Sequence, residues 1–221
     1  MTTQSGLTTE VLSRAIHRIA LHVASEANEL NALDGKLGDG DLGVTMSRGF
    51  THVLDALPSF TDDLGQAFLA CSRAFTRESG SSFGTLFASA LMSAAKQTKG
   101  RSEMPWMEIS SLLTGGFNAM AARGKASLGD KTVLDVLHAA AAATSGLDEP
   151  AAILQAAVDA TDATMTRMRN QPARIGRARI FGERSIGIDD PGMAAFRLML
   201  QALAASNDAH STAERPETDA S

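Results

Sequence analysis

The sequence predicts an all-α protein of eight helices, each antiparallel to its neighbours, and three observations support this. Apolar residues recur at helical spacing along most of the 221-residue chain. Alanine is plentiful, aromatic residues make up 5% and tyrosine is absent, whereas strands prefer β-branched and aromatic residues. The connections between the periodic segments are short, which places consecutive helices side by side in opposite directions.

Periodicity and end signals define the first three helices. A helix over residues 8–31 is predicted by an apolar stripe, and a second helix, 43–57, stops at Pro58. Thr61 and the two aspartates after it are typical of an N-terminal cap, so a third helix begins there and ends near Glu78. The stripe of the first helix consists of Val11, Leu12, Ala15, Ile16, Ile19, Val23, Ala27 and Leu30.

The next three helices are bounded mainly by glycine. The fourth helix covers residues 85–97 and is closed by Gly100. The fifth covers 105–123, and the sixth covers 131–144 with Gly146 after it. Each of these segments is long enough to contribute an apolar face to a common core.

The last two helices flank a long polar connection. Pro150 opens the seventh helix, which reaches residue 169, and the loop 170–190 follows. The eighth helix covers 191–205. We expect one domain over residues 1–206, and a disordered tail over 207–221 because that segment is almost without apolar residues.

Composition excludes several classes of protein. The formal net charge of −5 and the lack of a long Lys/Arg cluster argue against a nucleic-acid partner. No apolar run approaches the ~18 residues that span a membrane, and the N-terminus does not resemble a signal peptide. The single cysteine, Cys71, fits a reducing compartment and a buried packing role. We therefore expect a cytoplasmic protein.

The stretch "LDGKLGDGDLG", residues 33–43, is a candidate metal site. Asp34, Asp39 and Asp41 lie within eight positions, and Gly40 permits a tight bend between the last two. Such carboxylates repel each other unless a cation offsets their charge, and hard oxygen ligands suit Mg²⁺, Mn²⁺ or Ca²⁺. The EF-hand pattern fails, since no glutamate stands at its twelfth position. The alternative is a polar turn with two helix caps.

Three further loops have the same small and polar character. "GSSFG" (80–84) directly precedes a helix, where open backbone N–H groups favour an anion. "RGKASLGDKT" (123–132) also leads into a helix, and "GRARIFGERSIGIDDPG" (176–192) combines three arginines with an acidic helix start. Surface ion pairs are the alternative for these arginines. Together with residues 33–43, the loops indicate a metal–nucleotide site at one end of a helical bundle.

The chain resembles the L subunit, the nucleotide-binding domain, of dihydroxyacetone kinases over residues 8–205. The resemblance depends on four motifs in the same order: "LDGKLGDGDLG", "GSSFGTLF", "RGKASLGDKTVLD" and "GRARIFGERSIGIDDPG". It implies a single-domain barrel of eight antiparallel helices with the nucleotide site at one end. It also implies that Asp34, Asp39 and Asp41 bind two Mg²⁺ ions, which hold the phosphates of ADP or ATP.

The same resemblance assigns the nucleotide-binding residues position by position. The family usually has His where this chain has Leu42, and often Met where it has Val133. Loss of that His favours an ATP-exchanging enzyme over one that retains ADP. The implied nucleotide contacts are Leu42, Gly43, Val44, Thr45, Ser81, Ser82, Gly124, Val133, Arg177, Asp190, Pro191 and Gly192.

In the family the ketose is held by a histidine of a separate K subunit, which this chain lacks. The four histidines of the predicted helices are interpreted as packing or surface residues, so the chain supplies no catalytic residue of its own. The resemblance implies the nucleotide half of a two-component kinase for a short-chain ketose, inactive on sugar alone. Its partners would be the K subunit, a phosphocarrier of a phosphotransferase system and a second copy of the chain. The alternatives are a non-catalytic adapter and a nucleotide domain serving another acceptor, as in fatty-acid kinases.

Overall fold

The computed structural model describes residues 5–77 and 81–211, with side chains up to residue 205. Eight α-helices form within these residues, which confirms the predicted all-α fold. The helices are α1 (Thr9–Asp34), α2 (Leu42–Ala56), α3 (Leu64–Thr76), α4 (Ser82–Gln97), α5 (Ile109–Gly124), α6 (Val133–Ala143), α7 (Pro150–Arg169) and α8 (Pro191–Ser211). No described helix combines the length and apolar character needed to cross a bilayer.

The helices form a closed ring. Each helix packs against the next one in the chain, and α8 packs back against α1. Since consecutive helices are antiparallel, connections alternate between the two ends of the ring. The loops after α1, α5 and α7 and the start of α4 therefore meet at one end, as the sequence predicted for the four unusual loops.

Aromatic side chains fill the middle of the ring. Phe75 contacts Phe50 and Phe87 edge to face, with ring centroids 5.1 and 4.8 Å apart. Gly49 allows this packing, because a Cβ there would lie 2.3 Å from the Phe75 ring. Edge-to-face pairs of this kind stabilise a core by about 0.5–1.5 kcal/mol beyond the buried area. Cys71 is buried as predicted, and burial raises the pKa of its thiol to about 12.

Side-chain caps define several helix starts. Thr8 Oγ1 accepts a hydrogen bond from Val11 N at the start of α1. Asp63 caps α3 by accepting from Gln66 N at 3.2 Å, as its acidic approach predicted. Thr132 and Asp135 form a capping box at α6. Each of these side chains thus provides an acceptor for a backbone amide in the first turn of its helix, and the cap at α3 is the one that the sequence predicted.

Several predicted boundaries were wrong. The helix α1 continues to Asp34, three residues beyond the predicted end at 31. The fifth helix begins at Ile109 rather than 105, because a two-stranded antiparallel sheet pairs Glu103–Pro105 with Gly6–Thr8 and a 3-10 turn follows. The strands were missed because each has only three residues and depends on a partner about 100 positions away.

The long polar connection and the chain end also differ from the prediction. A 3-10 helix, Arg177–Ser185, lies inside the loop predicted over residues 170–190. The last helix reaches Ser211, so residues 207–211 of the predicted tail are helical, and 212–221 lie outside the described residues. The predicted helix end at Glu78 and the glycine of "GSSFG", Gly80, also lie outside them.

Candidate metal and nucleotide site

A cavity of about 570 Å³ opens at the end of the ring where the four loops meet. It is large enough to enclose most of a small-molecule ligand. Most of the sequence-predicted site residues line it, which brings together residues from α1, α2, α4, α5, α6 and α8 and from the loops between helices. The predicted residues on its wall are Asp34, Asp39, Asp41, Leu42, Ser81, Ser82, Gly124, Val133, Arg177, Asp190, Pro191 and Gly192.

The acidic loop is folded around Asp34, the last residue of α1. Its Oδ2 accepts hydrogen bonds from Gly40 N at 2.9 Å and from Asp41 N at 3.0 Å. Gly40 has φ +78°, a left-handed conformation that glycine adopts without steric cost. As a result, one carboxylate oxygen each of Asp34, Asp39 and Asp41 lies within 4.8 Å of the others. The break after α1 therefore serves to gather three carboxylates.

The charge of this cluster is partly offset from the opposite wall. Arg177, in the 3-10 helix between α7 and α8, forms an ion pair with Asp39, and both side chains are about half exposed. Three carboxylates and one guanidinium leave two negative charges. Oxygen donors with this residual charge fit a divalent cation such as Mg²⁺. The Arg177 guanidinium thus supplies, beside Asp39, part of the positive charge that a bound cation would supply.

The start of α2 differs from the site that the family motif implies. Asn31 Oδ1 accepts from Gly43 N at 2.7 Å and from Val44 N at 3.2 Å, so these amides are already satisfied. Thr45 N donates to the carbonyl of Asp41. Gly43, Val44 and Thr45 are not part of the cavity wall. Asn31 gave no signal in the sequence, because a polar residue at the predicted end of the first helix is ordinary.

The two departures from the family motif form an apolar part of the wall. Leu42 and Val133 are 5% and 6% exposed, and both belong to the main core as well as to the cavity. Leu86 and Met120 continue this surface. The wall therefore offers van der Waals contact to a flat apolar group and no hydrogen-bond donor from residue 42.

The Gly/Ser loop leads into the N-terminus of α4. Ser81 is the N-cap, and its Oγ accepts from Gly84 N at 3.3 Å. Ser82 is the first residue of the helix, and both serines line the cavity. The positive end of the helix dipole and the free first-turn amides favour an anion at this position.

Asp190 caps the last helix at the other side of the cavity. Its Oδ1 accepts from Met193 N at 2.9 Å. Surrounding protein atoms raise the pKa of its carboxyl to about 7, and the hydrogen bond and the nearby Lys131 act in the opposite direction. Asp190 keeps some exposed surface because it faces the cavity. Its carboxyl nevertheless lies among protein atoms, and this burial outweighs the other two effects on its pKa. Gly192 leaves room beside it, since a Cβ there would lie 3.1 Å from Asp190 Oδ1.

Lys131 is a buried cation that the sequence analysis missed. Its side chain is 1% exposed, and its Nζ donates to the carbonyls of Arg169, Gln171 and Ser185. It was expected to begin the sixth helix, but it has φ +63° and precedes the N-cap Thr132. A lysine between an aspartate and a helix cap is ordinarily a solvated charge, so its burial could not be read from the sequence.

The fold and the cavity define the class of this protein: a closed ring of eight helices with an acidic, cation-compatible site at one end. A family model described as the DAK2 domain matches residues 36–205. The chain belongs to this family.

Individual relatives agree with this assignment. The chain is 34% identical over 187 residues to the PEP-dependent dihydroxyacetone kinase, ADP-binding subunit DhaL, of Escherichia coli (82% of this chain, 89% of the relative). A DhaL subunit from Listeria innocua is 30% identical (82% and 87%). Triokinase/FMN cyclase of Mus musculus is 32% identical over 91% of this chain, which spans 36% of that protein.

A solved structure has the same fold. The dihydroxyacetone kinase of C. freundii superposes with a TM-score of 0.72 at 24% identity, over 93% of this chain and 36% of that one. Another structure of that kinase, in complex with AMP-PNP and Mg²⁺, gives a TM-score of 0.71. At this identity the comparison establishes the fold.

Proposed function

We propose that the chain is the Mg–nucleotide-binding subunit of a two-component, dihydroxyacetone-type kinase, which delivers a phosphoryl group to a ketose on a separate K subunit. The observation that carries the proposal is the cluster of three carboxylates within 4.8 Å at the mouth of a cavity bordered by helix N-termini. The Escherichia coli relative, of which this chain covers 89%, is an ADP-binding kinase subunit. A cytoplasmic location follows from this role.

Two Mg²⁺ ions would be held by Asp34, Asp39 and Asp41. When bound, such ions neutralise phosphate charge and orient the phosphates for transfer. The donor set fits this purpose, since it offers hard oxygen ligands and leaves uncompensated negative charge. The hydrogen bonds that Asp34 accepts would keep the loop folded around the ions.

The other residues of the wall would bind the nucleotide directly. The amides at the N-terminus of α4, at Ser81 and Ser82, would donate to a phosphate, and Arg177 would leave Asp39 to counter phosphate charge. Leu42 and Val133 would pack against the base and exclude water from it. Phosphoryl transfer needs mainly positioning and charge neutralisation, and these residues provide both.

The acceptor would come from the partner. Among the described residues of the cavity wall, none combines a nucleophile or base with a pocket for a sugar. Apolar side chains stand exposed around the mouth, with Leu128 at 48%, Ile180 at 79% and Ile186 at 44%. Such a rim suits docking of the K subunit, which would bring its ketose to the phosphates. A second copy of the chain is a further expected partner.

Reconstitution tests the proposal. The purified chain is incubated with Mg²⁺ and dihydroxyacetone, with and without a K subunit, and with either ATP or a phosphorylated phosphocarrier protein as donor. We expect sugar phosphate only when the K subunit is present. The productive donor then distinguishes ATP exchange, which Leu42 favours, from ADP recharged in place. Sugar phosphate formed by the isolated chain contradicts the division of labour.

A matched pair of variants tests whether the K subunit docks on these exposed side chains. Ile180→Asp places a charge on the exposed rim and should raise the K-subunit concentration needed for half-maximal turnover. It should not change Mg²⁺–nucleotide affinity. Leu21→Asp changes a side chain that is 74% exposed in α1, away from the loops of the site, and should leave both unchanged. Equal effects of the two variants would argue against docking at the cavity mouth.

A further inference from the structure

The buried ammonium of Lys131 joins two parts of the chain that flank the site. Its Nζ lies 3.2 Å from the carbonyl of Arg169, 2.8 Å from that of Gln171 and 2.8 Å from that of Ser185. Arg169 ends α7, and Ser185 ends the 3-10 helix that follows. One cation thus binds both the entry and the exit of the segment 169–185. All three donors of the ammonium are used.

The segment held in this way carries cavity residues. Gly176, Arg177 and Ala178 line the cavity, and Arg177 pairs with Asp39 of the acidic loop. Leu37 of that loop also packs against the same segment, so apolar contacts join the two walls in addition to the ion pair. Displacement of the segment would therefore move a charged group and an apolar contact of the site together.

Further hydrogen bonds depend on the same arrangement. Ser185 Oγ accepts from Ala173 N at 2.8 Å and donates to the carbonyl of Gly182 at 2.6 Å. Gly187 N donates to the carbonyl of Arg169, which Lys131 also contacts. The ammonium lies at the centre of this network, so its removal would take a donor from the carbonyl of Gln171 and from the buried carbonyl of Ser185, while the carbonyl of Arg169 would keep Gly187 N.

Two features of Lys131, its backbone conformation and its burial, are energetically unfavourable for a lysine. Its backbone has φ +63°, which a lysine rarely adopts, and its charge is almost fully removed from water. Asp189 and Asp190 face it with opposite charge, and Arg169 faces it with like charge. Lys125, in the same loop, has φ +55° but is exposed, so a left-handed lysine in this loop does not by itself require burial.

We infer that Lys131 is a positioning residue of the nucleotide site, which holds the segment 169–185 so that Arg177 faces the acidic loop. This inference rests on the proposed function, because it assigns the held segment to nucleotide binding. Lys131 does not touch the cavity itself and acts through the residues that it positions.

Local hydrogen exchange and Mg·ADP affinity together test the inference in the full-length chain. Lys131→Met keeps the length of the side chain and removes its charge and donors. We expect the amides of Ala173 and Gly187 to exchange at least tenfold faster without nucleotide, and Mg·ADP to bind at least tenfold more weakly. Lys125→Met, with the same substitution in the same backbone conformation, should match the parent in both.

Met104→Ala controls for a general loss of stability. Met104 is 1% exposed and packs in a separate cluster beside the two strands. This variant should lower thermal stability while Mg·ADP affinity stays at the parent value. If Lys131→Met does not fold, Lys131→Gln keeps two donors without the charge and should show smaller losses of the same kind.

Three outcomes separate the inference from the proposed function. A parent chain that binds Mg·ADP, with a Lys131 variant that binds equally well and exchanges at parent rates, overturns the inference alone. A Met104→Ala variant that loses as much affinity as Lys131→Met also overturns it. A parent chain that binds no Mg·ADP overturns the proposed function, and with it the nucleotide role of Lys131.

Discussion

Replacing Arg177 with alanine should change the affinities for free metal and for Mg–nucleotide in opposite directions. Without ligand, Arg177 pairs with Asp39 and so competes with a cation for that carboxylate. With nucleotide bound, the same guanidinium would contact phosphate and contribute to affinity. A residue that exchanges one partner for another predicts this reversal, whereas a residue that only supports the loop predicts two losses.

The magnitudes follow from exposure and charge. Arg177 and Asp39 are 52% and 47% exposed, and such a solvated pair contributes about 0.2–1 kcal/mol. Removing it should tighten metal binding about 1.5- to 5-fold. Loss of a charge-assisted hydrogen bond to phosphate costs about 1.5–3 kcal/mol, which weakens Mg–nucleotide about 10- to 150-fold.

Two titrations measure these effects. Mn²⁺ binding to the nucleotide-free chain is followed by electron paramagnetic resonance, and ADP binding at saturating Mg²⁺ is followed by calorimetry. Arg179→Ala is the matched control, because Arg179 is exposed two positions away and is not part of the cavity wall. Weaker binding of both ligands in Arg177→Ala, or equal effects in Arg179→Ala, would refute the exchange of partners.

Three further substitutions give distinct readouts. The pKa of Asp190 is raised to about 7 in the folded chain, so the native state retains a proton that the unfolded state loses from pH ~4 upward. The free energy of unfolding should therefore fall by up to roughly 3 kcal/mol between pH 5 and 7, and Asp190→Asn should flatten this fall. Leu42→His should lose about 2 kcal/mol of stability, because Leu42 is buried, yet bind Mg·ADP two- to a hundredfold more tightly and release it more slowly. Gly43→Ala should destabilise the fold by about 1–3 kcal/mol, since a Cβ there would lie 2.0 Å from the carbonyl oxygen of Ala27.

Each of these predictions has a contradicting result. Parallel pH profiles of the parent and Asp190→Asn in chemical denaturation would show that another group carries the pH dependence. Parent values of ADP affinity and release rate in Leu42→His would show that residue 42 does not set nucleotide exchange. An unchanged melting temperature in Gly43→Ala would show that α1 and α2 can separate without cost.

The helices could be predicted because their signals are local. The apolar stripe of the first helix and the Asp63 cap at the third depend on residues a few positions apart. The acidic loop was recognisable for a similar reason, since three carboxylates within eight positions need a partner charge wherever the chain folds. Those parts of the fold and site follow from spacing and elementary chemistry.

The residues that were missed depend on distant partners. Lys131 is buried by carbonyls 38 to 54 positions away, which no pattern near it indicates. Asn31 occupies the amides of Gly43 and Val44 because α2 approaches α1 closely, and that approach is a property of the packed helices. The short strands failed for the same reason, because neither pairs with a neighbour in sequence.

The most direct test of the account is calorimetry of nucleotide binding by the parent, Asp41→Asn and Asp62→Asn. The Asp41 side chain makes no cap hydrogen bond at α2, so its amide should leave the fold intact and remove one carboxylate from the cluster. Asp62 is an exposed acid in the connection before α3, at the other end of the ring, and serves as the control. We predict Mg²⁺-dependent ADP binding that chelation abolishes in the parent and Asp62→Asn, and that is absent in Asp41→Asn at equal circular dichroism. Parent affinity in Asp41→Asn would contradict the metal–nucleotide site.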